Sequence, residues 1–224
     1  MKWRFLKPDR DIVAKLQDEF QCSEIIAKVM ANRGIQSLKA PVPFFNYDLK
    51  LLHDPYLMKD MDKAVGRIIH NIHHKIPILM FGDYDADGTS ASAVLYLGLK
   101  SMGAVVSTYI PERNSEGYGL SILGIQKTQS IGADLIITCD CGINAFEEIL
   151  FSNSINIDVI VTDHHLPDEI LPEEFAILNP KRSGCSYPFD GLCGSGAAFK
   201  LIMAIEQKKN KNIQLNVRDI KLSE

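Results

Sequence analysis

An α/β fold, with a parallel five-stranded sheet flanked by helices and an amino-terminal helical lead-in, follows from the order of apolar runs along the chain. The runs Ile78–Phe81, Val105–Ile110, Leu135–Thr138, Val159–Thr162 and Ala176–Leu178 are short and rich in β-branched or leucine side chains, as strands are. Helix-compatible stretches alternate with them, which is the pattern of a parallel sheet with covered faces. Right-handed crossovers then bring all the carboxyl ends to one edge.

The lead-in is expected to be helical. Ile25, Ile26, Val29 and Met30 recur at helical spacing behind a possible Ser23 cap, and Gly34 offers a stop, so these four predict a packing face. Lys39 to Leu57 holds Pro41, Pro43 and Pro55 among aromatics and reads as an irregular connection. Met61, Val65, Ile68, Ile69 and Ile72 form one helical face before the first strand. These shifts place a lead-in and connection at 1–60, the main domain at 61–207, and a tail or the start of a linker at 208–224.

Length and composition suit a soluble protein able to bury a substantial core. No apolar run reaches the roughly 20 residues that span a bilayer, and the start of the chain lacks the apolar stretch of a signal peptide. The five cysteines, an odd number spread from Cys22 to Cys193, suggest free thiols and a cytoplasmic location rather than a disulfide framework. A formal charge of −4 argues against coating nucleic acid through overall basicity. It does not exclude nucleic acid as a substrate, because divalent ions bound to an acidic site reverse its charge locally.

Three acidic turns follow three of the buried strands. Gly82-Asp83-Tyr84-Asp85-Ala86-Asp87-Gly88 follows the first, Cys139-Asp140-Cys141-Gly142 the third, and Asp163-His164-His165 the fourth. In open parallel sheets these ends face one crevice, so the turns can converge. Carboxylates at alternate positions of an extended backbone point the same way, which lets Asp83 and Asp85 grip one cation or bridge two. Asp87 or Thr89 reads as a cap for the helix that follows. The calcium-loop alternative fails at its ninth and twelfth positions, Ala91 and Val94. A P-loop is excluded because no Gly-Lys-Ser/Thr follows. Imidazole beside carboxylate at Asp163-His164-His165 suits manganese, iron or zinc better than calcium. The pair His73-His74 has no acidic neighbour and reads as solvated. Cys139 and Cys141 are spaced poorly for a structural zinc site, leaving Asp140 as the better ligand. Two loops suit anions: Arg113 has a planar fork for phosphate, or pairs with Glu112 or Glu116, and Gly194-Ser195-Gly196 opens a helix whose N–H groups can face an anion.

Taken together these residues resemble the DHH phosphoesterase superfamily, and more closely its RecJ branch of single-strand-specific DNA exonucleases. The resemblance rests on ordered motifs: GDYDADGTSASA at 82–93, IPERNSEGYGL at 110–120, CDCGI at 139–143, TDHH at 162–165 and GSGAAFK at 194–200. It implies that Asp83, Asp85, Asp140 and His164 hold two divalent cations, Mn2+ first and Mg2+ second. It further implies a catalytic set in which His165 and Arg113 contact the scissile phosphate while Asp163 fixes a histidine tautomer, with Gly117, Gly194, Ser195 and Gly196 on the substrate side. Two metal ions suit in-line hydrolysis because they stabilise both the attacking and the leaving oxygen. The substrate implied is single-stranded DNA, degraded 5′ to 3′, with DNA-repair or replication proteins as partners. Other DHH phosphoesterases act on short oligonucleotides or nucleotide phosphates, and a non-catalytic DHH scaffold is the remaining alternative. Two departures stand out. Phe81 occupies the place where many relatives carry histidine, and the further aspartate motif and second domain of the family are not recognisable after 206. The sequence therefore resembles the amino-terminal half of a longer enzyme, with weak activity expected of this chain alone.

Overall fold

The computed structural model describes residues 5–37, 48–113, 116–117 and 119–209. Part of the irregular connection and most of the expected tail lie outside these, as do Asn114, Ser115 and Tyr118 of the arginine loop. The chain divides into two units, Met1–Leu52 and His53–Glu224. The residues at 53–60 belong with the larger unit: a tight turn at Pro55–Leu57 lets the Tyr56 hydroxyl donate to the Ala204 carbonyl at 2.8 Å.

In the first unit, α1 (Arg10–Phe20) is capped by Asp9, which accepts from Asp11 N at 2.8 Å, and α2 (Glu24–Asn32) by Ser23, which accepts from Ile26 N at 3.4 Å. The expected helix and cap are present, but its inward face differs. Val13, Leu16, Ala27, Met30 and Ile35 form a small core, whereas Ile25, Ile26 and Val29 are 75%, 48% and 43% exposed. The reason is α1, which the apolar spacing did not reveal: it packs on the Ala27–Met30 stripe and so selects that side.

The second unit runs α3 (Met61–His74), β1 (Ile78–Gly82), α4 (Ala86–Ser101), β2 (Val106–Tyr109), α5 (Ile122–Ser130), β3 (Leu135–Cys139), α6 (Phe146–Ser154), β4 (Asp158–Thr162), β5 (Ala176–Leu178) and α7 (Gly194–Lys209). The sheet order is β2-β1-β3-β4-β5 and every pair is parallel. Alternation along each strand supplies two cores. Ile78, Met80, Leu135, Ile137 and Ile160 face α3, α4 and α7, while Leu79, Phe81, Ile136, Val159 and Val161 face α5 and α6. A parallel sheet covered on both faces explains why these strands are apolar throughout. No helix links β4 to β5: residues 163–175 form an irregular crossover in which Pro167 and Pro172 remove helix donors. His73 and His74 end α3 and are exposed. Among the described residues no helix is long and apolar enough to cross a membrane.

Candidate metal centre

The strand order puts β1, β3 and β4 side by side, so their three acidic turns meet at one edge. Asp83 leaves β1 almost fully buried, with its N–H on the Cys139 carbonyl at 3.2 Å and its Oδ1 accepting from Tyr84 N at 2.8 Å. Burial raises its pKa, and neighbouring Asp85 adds to this against the Tyr84 N–H, His165 and Arg113. Asp85 is exposed and is itself the cap of α4, accepting from Gly88 N at 2.8 Å. This corrects the reading that gave the cap to Asp87 or Thr89. The helix begins at Ala86, which turns Asp87 away from the alternation of its two predecessors.

Asp87 instead binds the start of α7. Its carboxylate accepts from Gly194 N at 2.7 Å, Ser195 N at 2.8 Å and Ser195 Oγ at 2.8 Å. Burial alone would raise its pKa, but these donors outweigh it and hold the carboxyl below its ordinary value. The anion anticipated at this glycine-rich helix start is thus a side chain of the protein. Gly194 is required there for a second reason, since a Cβ would lie 2.4 Å from Asp140 Oδ1.

Asp140 occupies the left-handed region, with φ 64°, a conformation costing about 1–3 kcal/mol outside glycine. Its N–H donates to the Thr162 carbonyl at 2.9 Å, tying the third turn to the fourth strand. Burial, then Asp87 and Asp163, push its carboxyl up to about 7, with His165 acting in the opposite direction. His164 Nε2 lies 3.2 Å from Asp140 Oδ1 and 3.6 Å from Asp87 Oδ2. Buried Asp163 is saturated by donors: Oδ1 accepts from His164 N at 2.7 Å and His165 N at 3.1 Å and faces His165 Nδ1 at 2.7 Å, while Oδ2 accepts from Ile143 N at 3.1 Å. It thus touches both the backbone and the ring of His165.

Two ligand sets emerge, Asp83 with Asp85 and Asp140, and Asp140 with His164 and His165, each with ligand atoms within 4.8 Å of one another. Asp140 belongs to both. Clustered carboxylates with raised pKa are the electrostatic signature of groups that favour a neighbouring cation, so these residues fit a divalent metal. Cys139 and Cys141 do not join them. Both are fully buried, with Sγ directed at the Ile137 and Phe81 carbonyls. Burial pushes the Cys139 thiol up to about 12 and Cys141 well above its usual value, which keeps both protonated and unfit as thiolate ligands.

Phe81 is a core residue. It lies 5.4 Å from the Tyr109 ring and presses so closely on α5 that a Cβ at Gly124 would meet it at 2.3 Å. Arg113 is exposed, with its guanidinium 5.2 Å from the centre of the Tyr84 ring. Glu116 is engaged by the Tyr109 hydroxyl at 2.7 Å, Ser121 Oγ at 2.8 Å and Glu112 N at 3.1 Å. Gly117 is exposed and has φ 84°, which favours glycine. Beside the acids opens a cleft of about 760 Å³, lined by Asp83, Asp85, Leu120, Asn144, Glu148 and His165 among others.

Sequence reasoning left Asp87 outside the site. Its signal was the third place in the alternation at 83, 85 and 87, but only the helix start shows that it reaches α7. The buried threonines that end β3 and β4 were also missed: Thr138 Oγ1 donates to the Cys141 carbonyl at 2.7 Å and accepts from Thr162 N at 3.2 Å, closing the turn that carries Asp140.

Comparison with known proteins agrees with this geometry. Residues 77–223 match the model of the DHH family, N-terminal domain. The single-stranded-DNA-specific exonuclease RecJ of Bacillus subtilis is 38% identical over 205 residues, covering 92% of this chain and 26% of that protein. A crystal structure of exonuclease RecJ bound to manganese superposes with TM-score 0.62 at 32% identity, over 68% of this chain and 38% of the other. RecJ from Thermus thermophilus in complex with Mn2+ gives TM-score 0.68 at 26% identity, over 90% of this chain and 28% of the other. The chain therefore spans about a quarter of the length of the Bacillus relative, and by the family match over residues 77–223 and this identity it belongs to the DHH family.

Proposed function

We propose that this chain carries the metal-dependent hydrolytic centre of a RecJ-type exonuclease, which removes nucleotides from single-stranded DNA in the 5′-to-3′ direction. The observation that carries the reading is the sharing of Asp140 between two ligand sets. On this reading Asp83, Asp85, Asp140 and His164 hold two divalent ions, Mn2+ in preference to Mg2+. Bound there, the ions would supply the positive charge that stabilises attacking and leaving oxygens in phosphoryl chemistry.

The protein's own residues do the rest. With Nδ1 engaged by Asp163, chemistry at His165 runs through Nε2, which offers a lone pair in the neutral ring and a donor in the imidazolium. Contact with the scissile phosphate therefore calls for the protonated form. Arg113 supplies a permanent charge whose fork matches phosphate oxygens. Gly117 lets the backbone of its loop turn beside the strand. Gly194 and Ser195 serve by holding Asp87, and Gly194 by seating Asp140, while Gly196 lies in the same first turn on the substrate side. The five free cysteines support a reducing, cytoplasmic setting, and repair or replication proteins are the partners such an activity would meet.

The test is digestion of 3′-labelled single strands with Mn2+ by this chain, alongside the full-length Bacillus relative and Asp140→Asn. Stepwise shortening from the 5′ end, abolished by chelator and by the substitution, is expected. Turnover of dinucleotides with no action on long strands would replace this reading with a small-substrate phosphoesterase. Binding without hydrolysis of either would make the chain a scaffold.

A further inference from the structure

Two asparagines close on the turn that carries His164 and His165. Asn179 follows β5 and is fully buried. Its Nδ2 donates to the His165 carbonyl at 2.9 Å and its Oδ1 accepts from Lys181 N at 2.8 Å. These partners fix the amide's orientation, because an N–H needs the oxygen and a carbonyl needs the amino group. Asn144, in the loop after β3, repeats the arrangement from the other side: Nδ2 donates to the Leu166 carbonyl at 3.4 Å and Oδ1 accepts from Asp168 N at 3.0 Å.

After Asp163, whose N–H donates to the Leu178 carbonyl at 3.2 Å, the crossover at 163–175 has neither helix nor strand pairing, so its polar groups turn to side chains and to solvent. Asp163 takes the N–H groups of His164 and His165, while Asn179 and Asn144 take the carbonyls of His165 and Leu166. The histidine pair is thereby held from both sides of its backbone.

We propose that Asn179 is a positioning residue that acts through His165, with Asn144 as a weaker second arm. Together they fix the turn so that the His165 ring keeps Nδ1 on Asp163 and presents Nε2 in one direction. What Nε2 then meets rests on the proposed function; the orientation of the ring does not. A leucine at 179 would leave the His165 carbonyl without its donor and Lys181 N without its acceptor. The ring would then be free to exchange tautomers.

The measurement is the 15N spectrum of the imidazole nitrogens in the metal-free chain, joined to Mn2+ titration calorimetry. The variants are Asn179→Leu and Asn144→Ala, with His165→Ala to assign the His165 signals. The wild-type chain is expected to show His165 as a single Nδ1–H tautomer, and Asn179→Leu a mixture. Mn2+ affinity should change far less than the tautomer in Asn179→Leu, because the proposed ions are held by other side chains, and this separates positioning of the His165 ring from collapse of the centre. Asn144→Ala, at an exposed position, should shift the tautomer less and in the same sense; it decides the matter if Asn179→Leu does not fold. An unchanged tautomer in the folded asparagine variants, or a mixture already present in the wild-type chain, would overturn the proposal. A wild-type chain that binds no Mn2+ would overturn the proposed function, and the tautomer would still decide the clamp.

Discussion

Asp134 and Asp158 stand at the amino ends of β3 and β4, and Asp140 and Asp163 at the carboxyl ends of the same two strands. The first pair shares an arginine. Arg67 lies 3.1 Å from Asp134 and 2.7 Å from Asp158, and Asn71 donates to Asp134 at 2.8 Å. At the other end Asp140 lies 3.2 Å from the His164 ring and Asp163 2.7 Å from the His165 ring. A similar contrast appears between Asp60 and Asp140. Asp60 is opposed by burial, yet its bond to Arg182 and the Ile177 N–H hold its carboxyl below the ordinary value, whereas that of Asp140 is pushed up to about 7. Asp60, Asp134 and Asp158 each meet an arginine directly, while Asp140 and Asp163 of the candidate centre meet imidazoles, and Asp163 backbone donors as well. An external divalent ion would complete that second arrangement.

The largest expected effect is on activity. Asp83→Asn or Asp140→Asn should lower Mn2+-dependent hydrolysis of single strands by at least about 10²–10³-fold, the scale of one preorganised electrostatic contact. Arg67→Ala should leave the rate per folded molecule unchanged. Initial rates normalised to folded protein check this, and an equal loss in Arg67→Ala would erase the distinction between the two ends.

Stability should show the next effect. Mn2+ at a hundredfold excess over its Kd adds about 2.7 kcal/mol by mass action. Asp85→Asn, which keeps the helix cap and removes the charge, should abolish most of that gain. Arg67→Ala should lower the baseline by about 1 kcal/mol, the upper scale of a solvent-screened ion pair, because Asp134 and Asp158 are 39% and 40% exposed, while the Mn2+ gain persists. Thermal melts of each variant with and without Mn2+ separate these outcomes.

The two ends should also respond to pH in opposite senses. Asp140 holds its proton up to about 7 in the folded chain, against about 3.9 when unfolded. Without metal it therefore costs stability as pH rises from about 4 to about 7. Asp60, with its lowered pKa, contributes stability above the ordinary carboxylate value and loses it as pH falls through the lower one. Melts in chelator should show a decline above about pH 4 that Asp140→Asn makes shallower, each kcal/mol being worth about 2–4 °C in a chain of this size; the remainder comes from Glu174, whose carboxyl burial also pushes up to about 7, and from Asp83, which burial raises as well. A decline of undiminished slope in Asp140→Asn would refute the assignment.

The smallest effect concerns the thiols. Cys139→Ser together with Cys141→Ser should leave Mn2+ affinity nearly unchanged, because hard carboxylate and imidazole ligands carry it. Stoichiometric zinc in the purified protein, lost in that variant, would reverse this.

Much of the molecule was legible in one dimension. The apolar runs at 78, 135, 159 and 176 mark four strands to within a residue or so, because a strand buried on both faces must be apolar along its length. Ser23 marked the start of α2, a local hydrogen bond with a local cause. The ligand types were legible too, since Asp83, Asp85, Asp140 and His164 stand where strands end. The inward side of α2 was not, because which of two apolar stripes is buried depends on α1.

The sequence by itself determined which segments are strands, that they are parallel, and that carboxylates and histidines of a kind suited to hard metals follow three of them. All of these arise from neighbours a few residues apart. Only the tertiary structure decided that β1, β3 and β4 lie side by side, that Asp87 reaches across 107 residues to Gly194, and that Asn179 reaches back to His165. The physical reason is that strand order and the partners of irregular backbone are set by long-range packing and by the need to satisfy buried polar groups, and neither leaves a periodic trace in the chain.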